Sequence, residues 1–237
     1  MIRRAPSQDL PGFVAAAEGR HSVRRFTADP VPRADVVEMV RVATLAANAG
    51  NAQPWRFVAV DDPATLAAMR GAVEERLHEV ARWPEAQGET AGAAPDAPAL
   101  LKSTTLFADA PLTIAVFGLP YESRVDRLLE RHGVAREERD RLRARPDLQS
   151  IGAAVQLLLV AAHLLGYGAC WMCAPVLAAR RLEKLLGAAE PAHLAALVAV
   201  GVAAEPPAGG RPPAAAGRLP LDEVLRFLPA EPKDEGS

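Results

Sequence analysis

With 237 residues, half of them hydrophobic, the chain has enough apolar material for one well-buried domain. Its formal charge of −2 is spread over interspersed Lys, Arg, Asp and Glu. That pattern excludes the basic footprint of a nucleic-acid binder and the polybasic patch of a membrane-surface protein. The only two cysteines, Cys170 and Cys173, are too few for a disulfide framework.

The opening stretch, MIRRAPSQDLPGF, has no apolar signal core, so a cytoplasmic protein is expected. Residues 10–19 read as a short helix running into Arg20-His21-Ser22-Val23-Arg24-Arg25-Phe26. After the turn at Asp29-Pro30-Val31-Pro32, a second helix is expected to bury Val36, Val37, Val40 and Ala43 on one face. It dissolves in the turn-formers Ala47-Asn48-Ala49-Gly50-Asn51-Ala52-Gln53-Pro54. Arg56 to Val60 reads as a strand, and Pro63 opens a helix with Leu66, Met69, Val73, Leu77 and Val80 at helical spacing. Pro84 to Pro98, rich in Ala, Gly and Pro, is expected to be a surface loop or lid. Leu112 to Phe117 has the continuous apolar character of a buried strand.

Residues 122–145 read as a highly charged helical stretch, a solvated face or a lid. From Leu148 to Ala179 no residue is charged, a run longer than the ~20 apolar residues that cross a bilayer. Gln149, Gln156 and His163 interrupt it, however, and Gly166-Tyr167-Gly168 breaks it. A helix over 151–165, capped by Asp147 or Ser150, then a turn and a buried strand over 169–172, fit it better. A helix over 175–186, a strand over 195–202, a Pro/Gly-rich arm over 205–217 and a short helix over 221–227 complete the order. These elements predict a single α+β domain over 10–228, with a mixed or antiparallel sheet covered by helices and flexible tails at 1–9 and 229–237.

Two segments carry possible chemistry. Arg20, Ser22 and Arg24, beside His21, can meet a phosphate through charge-assisted hydrogen bonds, though a solvated charged turn has the same composition. Asn48, Asn51 and Gln53 crowd three carboxamides and small residues before an apolar strand, where a ligand can approach the backbone. Cys170-x-x-Cys173 offers a redox dithiol or half a zinc site, but its apolar neighbours and the lack of a second pair favour packing. Gly166-x-Gly168 lacks the third glycine and the strand-to-helix order of a dinucleotide fingerprint. His163 reads as a core histidine, and Gln156 as a side chain hydrogen-bonded at an interface.

Taken together, Arg20-x-Ser22-x-Arg24-x-Phe26 followed by Asn51-x-Gln53-Pro54-Trp55-x-Phe57 resembles the nitroreductase-like FMN-dependent oxidoreductase family. Phe107-Ala108-Asp109-Ala110-Pro111, Ile151-Gly152-Ala153-Ala154-Val155-Gln156, Leu165 to Trp171 and Arg218-Leu219-Pro220-Leu221 agree with it in order and spacing. The resemblance spans about residues 15 to 227. It implies an intertwined homodimer with FMN at the subunit boundary and NAD(P)H as electron donor. Two electrons then pass by a ping-pong mechanism to a nitroaromatic, quinone or activated alkene.

By the same resemblance, Arg20 and Arg218 bind the FMN phosphate, and His21 and Ser22 belong to the same segment. Arg24 sits at the N1/O2 edge of the ring as the catalytic charge. Asn48, Asn51 and Gln53 reach the flavin of the other subunit, and Met172, Cys173 and Ala174 present backbone N–H groups to N5 and O4. Cys173 and Ala174 depart from the family's usual residues there. A further basic residue expected before Arg218 is missing, with Arg211 a substitute, and Arg76 and His78 are nearby candidates for ring contacts. No metal site is expected. Alternatives are a specialised enzyme of the same fold (a dehalogenase, a flavin-fragmenting enzyme or a natural-product dehydrogenase) and a non-catalytic flavin-binding module.

Overall fold

A computed structural model describes residues 10–83, 98–204 and 218–228. The 84–97 part of the expected lid, the 205–217 arm with Arg211, and the two tails lie outside the described residues. Four strands build one antiparallel sheet in the order β1-β2-β4-β3: β1 (Trp55–Val60), β2 (Leu112–Gly118), β3 (Gly168–Met172) and β4 (His193–Gly201). The two central strands explain their own sequences. Both faces of β2 and β4 are covered, so apolar residues run on without alternation.

The faces belong to different helices. Ile114, Val116, Val198 and Val200 pack with Met39 and Ala43 of α2 (Arg33–Ala43) and with Ile151, Val155 and Leu158 of α7 (Pro146–Leu164). Ala115, Phe117, Leu197 and Ala199 pack on the other side with Leu66, Met69, Val73 and Leu77 of α3 (Pro63–Ala81) and Leu182 of α8 (Ala179–Leu185). The result is a three-layer helix–sheet–helix sandwich. Among the described helices α7 alone is long and apolar enough to cross a membrane, yet its apolar stripe is spent on the sheet.

Several expectations are corrected. In α2 Ala43 is buried and Val36 packs on the same cluster as expected, but Met39 joins them while Val37 is 67% exposed. The charged stretch 122–145 is two helices, α5 (Arg124–Arg131) and α6 (Arg136–Arg143), because Gly133 takes φ +75° between them. A capping box closes α5, with Ser123 accepting from the Asp126 N–H and Asp126 accepting from the Ser123 N–H. Asp147 and Ser150 are not caps of α7 but sit in its first turns, where Pro146 opens the helix. Residues 175–186 divide into a 3-10 turn (Ala174–Ala178) and α8, stopped as expected by Gly187 at φ +67°. The terminal helix α9 is short (Leu221–Val224). Ahead of these, α1 (Leu10–Gly19) lies against α7, and α4 (Pro98–Thr105) packs near α3.

Candidate functional site

The segment after α1 adds itself to the sheet. Ser22 forms a parallel bridge with Ala169 of β3, and the Val23 N–H donates to the Ala169 carbonyl at 3.0 Å. The chain then crosses the sheet end, with the Thr27 N–H donating to Val202 and Ala204 donating back to Arg25. Gly168 makes this crossing possible. A Cβ there would stand 2.5 Å from Val23 Cγ2, so any other residue would push the segment off β3.

Side chains along this edge gather positive charge. Arg20 is half-buried, and its Nε is shielded from solvent with no hydrogen-bond acceptor. A buried guanidinium N–H left unpaired is costly, and an anionic oxygen is the acceptor that fits it. His21 Nδ1 lies 3.0 Å from the Gly19 carbonyl oxygen. His163, in the last turn of α7, packs on Gly19, and its pKa is lowered by burial and then by the neighbouring His21 and Arg20. His163 is therefore no core histidine but a half-exposed member of this cluster, which helix periodicity alone did not reveal. Arg24 is exposed and near enough to Cys170 to draw its thiol pKa down, although burial raises it overall.

Met172 ends β3 buried in the core, and Cys173 and Ala174 after it are exposed. Both cysteines are free thiols, Cys170 buried and Cys173 exposed. Gln156 is exposed in the single chain. Arg76 pairs with Glu79 and stacks on Trp83. Arg218 is exposed, three residues ahead of α9.

Asn48, Asn51 and Gln53 stand elsewhere. Asn48 spends its amide on its own turn, accepting from the Gln53 N–H at 2.8 Å and donating to the Ala46 carbonyl at 3.2 Å. The loop is tied to α7 by the Ala49 N–H, which donates to Ser150 Oγ at 3.1 Å. Asn51 and Gln53 are exposed and take left-handed φ of 51° and 47°. Ala169 lies opposite Val200, and Val200 opposite Leu112; Trp55 lies opposite Gly118, at the other end of β2. The 20–24 and 48–53 segments are thus at diagonal corners of the sheet. With ~3.3 Å per residue and ~4.8 Å per strand, they are on the order of 25 Å apart. One chain cannot bring both to a single mononucleotide.

The model of the Nitroreductase family matches residues 17–202. The chain belongs to that family. Over 164 residues, 68% of either chain, it is 32% identical to the 5,6-dimethylbenzimidazole synthase of Rhodospirillum rubrum. A shorter stretch of 63 residues is 46% identical to the NADH dehydrogenase of Thermus thermophilus, spanning 27% of this chain and only 31% of that protein. Among solved structures, a BluB-like flavoprotein from Clostridium difficile superposes with a TM-score of 0.79 at 26% identity, covering 91% of this chain and 98% of its own. The three-layer sandwich is therefore the nitroreductase fold, and the family's flavoprotein, oxidoreductase character is that of this chain's relatives.

Proposed function

We propose that the protein is an FMN-dependent oxidoreductase that draws two electrons from NAD(P)H and delivers them to a small acceptor, working as a homodimer with shared sites. The observation that carries this reading is the buried, unpaired Arg20 Nε beside His21 and His163, at the edge where the segment 20–24 joins β3. The residues fit a phosphate at this end and a polarisable ring toward Arg24 and the 172–174 loop. FMN, when bound, supplies the two-electron redox chemistry.

In this arrangement Arg20 gives a phosphate oxygen its missing donor, with His21 and Ser22 close in sequence and Arg218 as a second cation. Arg24 places a guanidinium at the N1/O2 edge of the ring, where negative charge collects on reduction. Cys173 and Ala174 offer backbone N–H groups, so their side chains need not be those usual in the family. Asn51 and Gln53, both exposed, serve the partner's site, with Asn48 holding their loop in shape. The apolar surface left exposed supports the dimer: Phe13 on α1 and Leu219 and Phe227 around α9 are 58%, 64% and 73% exposed in the single chain. The test is direct. Purified protein titrated with FMN should bind it with yellow colour, and anaerobic NADH or NADPH should bleach that colour.

A second reading is favoured by one specific observation, the 32% identity with a 5,6-dimethylbenzimidazole synthase over 68% of both chains. A specialised flavin-fragmenting enzyme would share these residues. Aerobic incubation with FMN and NAD(P)H, followed by mass spectrometry for 5,6-dimethylbenzimidazole, separates the two. Its formation supports the second reading, and intact FMN with oxidised nicotinamide supports the first.

A further inference from the structure

Behind the 172–174 loop lies a cleft of ≈ 420 Å³ between α3 and the start of α8, lined by Arg76, Glu79, Leu177, Ala178, Arg180 and Arg181. That volume is in the range of small-molecule sites. Its charges are unevenly matched. Glu79 is shared by Arg76 at 3.1 Å and by Arg181, and Glu75 stands 3.8 Å from Arg181 Nη1. Two carboxylates thus face three guanidiniums. Arg181 Nη1 is shut off from solvent without a hydrogen-bond acceptor, and Arg180 makes no ion pair among the described residues. Arg76 is fixed from behind by Trp83, whose ring centroid is 5.2 Å from the guanidinium carbon.

The position gives this surplus a use. Leu177 and Ala178 belong to the 3-10 turn that begins at Ala174, so the cleft opens ~6 Å along the chain from the loop assigned to the ring. A ligand whose redox end meets that loop has its remote end within reach of the arginines. We propose that the cleft binds the 2′-phosphate of a nicotinamide dinucleotide through the exposed Arg180, with the partly exposed Arg181 side chain adding positive charge beside it, and so selects NADPH over NADH. A terminal phosphate monoester carries roughly −1.5 to −2 charges and three acceptor oxygens, which suits converging guanidiniums better than a bridging diester does. Arg76 and Glu79 set the frame that holds Arg181 in place. This inference rests on NAD(P)H being the donor.

The experiment keeps the two claims apart. Calorimetric titration of the full-length protein with adenosine 2′,5′-bisphosphate and with adenosine 5′-monophosphate reads the cleft without any turnover. The bisphosphate should bind at least tenfold more tightly. Arg180→Glu and the milder Arg180→Ala should each remove most of that preference while FMN titration is unchanged. Equal affinities, or a preference that survives both substitutions, would overturn the inference. Stopped-flow bleaching by NADPH and NADH reads the donor separately. If neither dinucleotide reduces the flavin while the bisphosphate preference holds, the donor reading fails and the anion subsite stands.

Discussion

His163 presses on Gly19 so closely that a Cβ built on the glycine would stand 2.8 Å from its Nε2. This contact joins the end of α1 to the end of α7 and sets the position from which Arg20 leaves the helix. Gly19→Ala should therefore displace the imidazole, the far end of a half-exposed side chain, so stability should change by less than about 1 kcal/mol while the edge around Arg20 shifts. Thermal unfolding checks the stability, and FMN titration should show weaker binding through the shifted Arg20. The same imidazole adds a pH dependence. Its pKa is lowered in the fold by burial, His21 and Arg20, so the unfolded chain protonates first as pH falls. Its contribution to stability is intact above the unfolded value near 6.5 and is lost between there and its lower folded value. A parent that loses stability over this window, and a His163→Gln variant that loses less, is the expected pair of unfolding curves.

Arg20 holds the unpaired donor of the edge cluster. Arg20→Ala removes a charge-assisted contact worth ~1.5–3 kcal/mol, so FMN affinity should fall roughly ten- to a hundredfold. Fluorescence quenching of FMN on titration measures it, and unchanged affinity would remove Arg20 from the phosphate site.

Much of this was legible in the sequence where local chemistry decides the outcome. Leu112 to Phe117 and Leu197 to Val200 read as buried strands because both faces of a central strand are apolar. Gly166 and Gly187 marked helix ends because their positive φ suits glycine. What escaped depends on partners far away in the chain. Val37 and Met39 are both apolar, and only the placement of α2 on α7 and β2 decides that Met39 is inward. His163 looked like a core residue until Gly19 of α1 proved to be its neighbour. The two motif segments were plain to read, but nothing local says that they occupy opposite corners of one sheet.

That separation predicts a composite site. Light scattering should give the mass of a dimer, stable at micromolar concentration as an interface above ~2,000 Å² would make it. Homodimers carrying Arg20→Ala, or Asn51→Ala with Gln53→Ala, should each bind FMN poorly. A mixed dimer of the two variants contains one intact site, from the unaltered 20–24 segment of one chain and the unaltered 48–53 segment of the other. Purified mixed dimers should regain about half the FMN occupancy of the parent, and an equimolar mixture after subunit exchange about a quarter. Failure of mixed dimers, once formed, to regain any would place both segments in the same site of one chain, against the geometry.

The cysteines are expected to be packing residues. Burial raises the Cys170 thiol pKa, which keeps it protonated and unreactive near neutrality, and both thiols are free. Cys170→Ala should cost roughly 1–2 kcal/mol through the space it leaves in the core, and Cys173→Ala less, since it is exposed. NAD(P)H oxidation should stay largely intact in both. A thousandfold loss of rate with FMN still bound would instead reveal dithiol chemistry.

Arg24 provides the sharpest test of the catalytic assignment. It is exposed, it lies beside Cys170 at the edge strand, and the 172–174 loop follows two residues further along β3. A guanidinium there favours negative charge on the ring and acts little on the neutral oxidised form, so its effect belongs to the transition state more than to binding. Arg24→Met keeps much of the side-chain volume and deletes the charge. The flavin potential should fall, and reduction by NAD(P)H should slow by ~10²-fold while FMN is retained. Anaerobic rapid mixing, which follows the loss of flavin absorbance, measures the rate, and dye equilibration measures the potential. A variant that is reduced as fast as the parent but no longer holds FMN would make Arg24 a phosphate ligand and move the catalytic charge elsewhere.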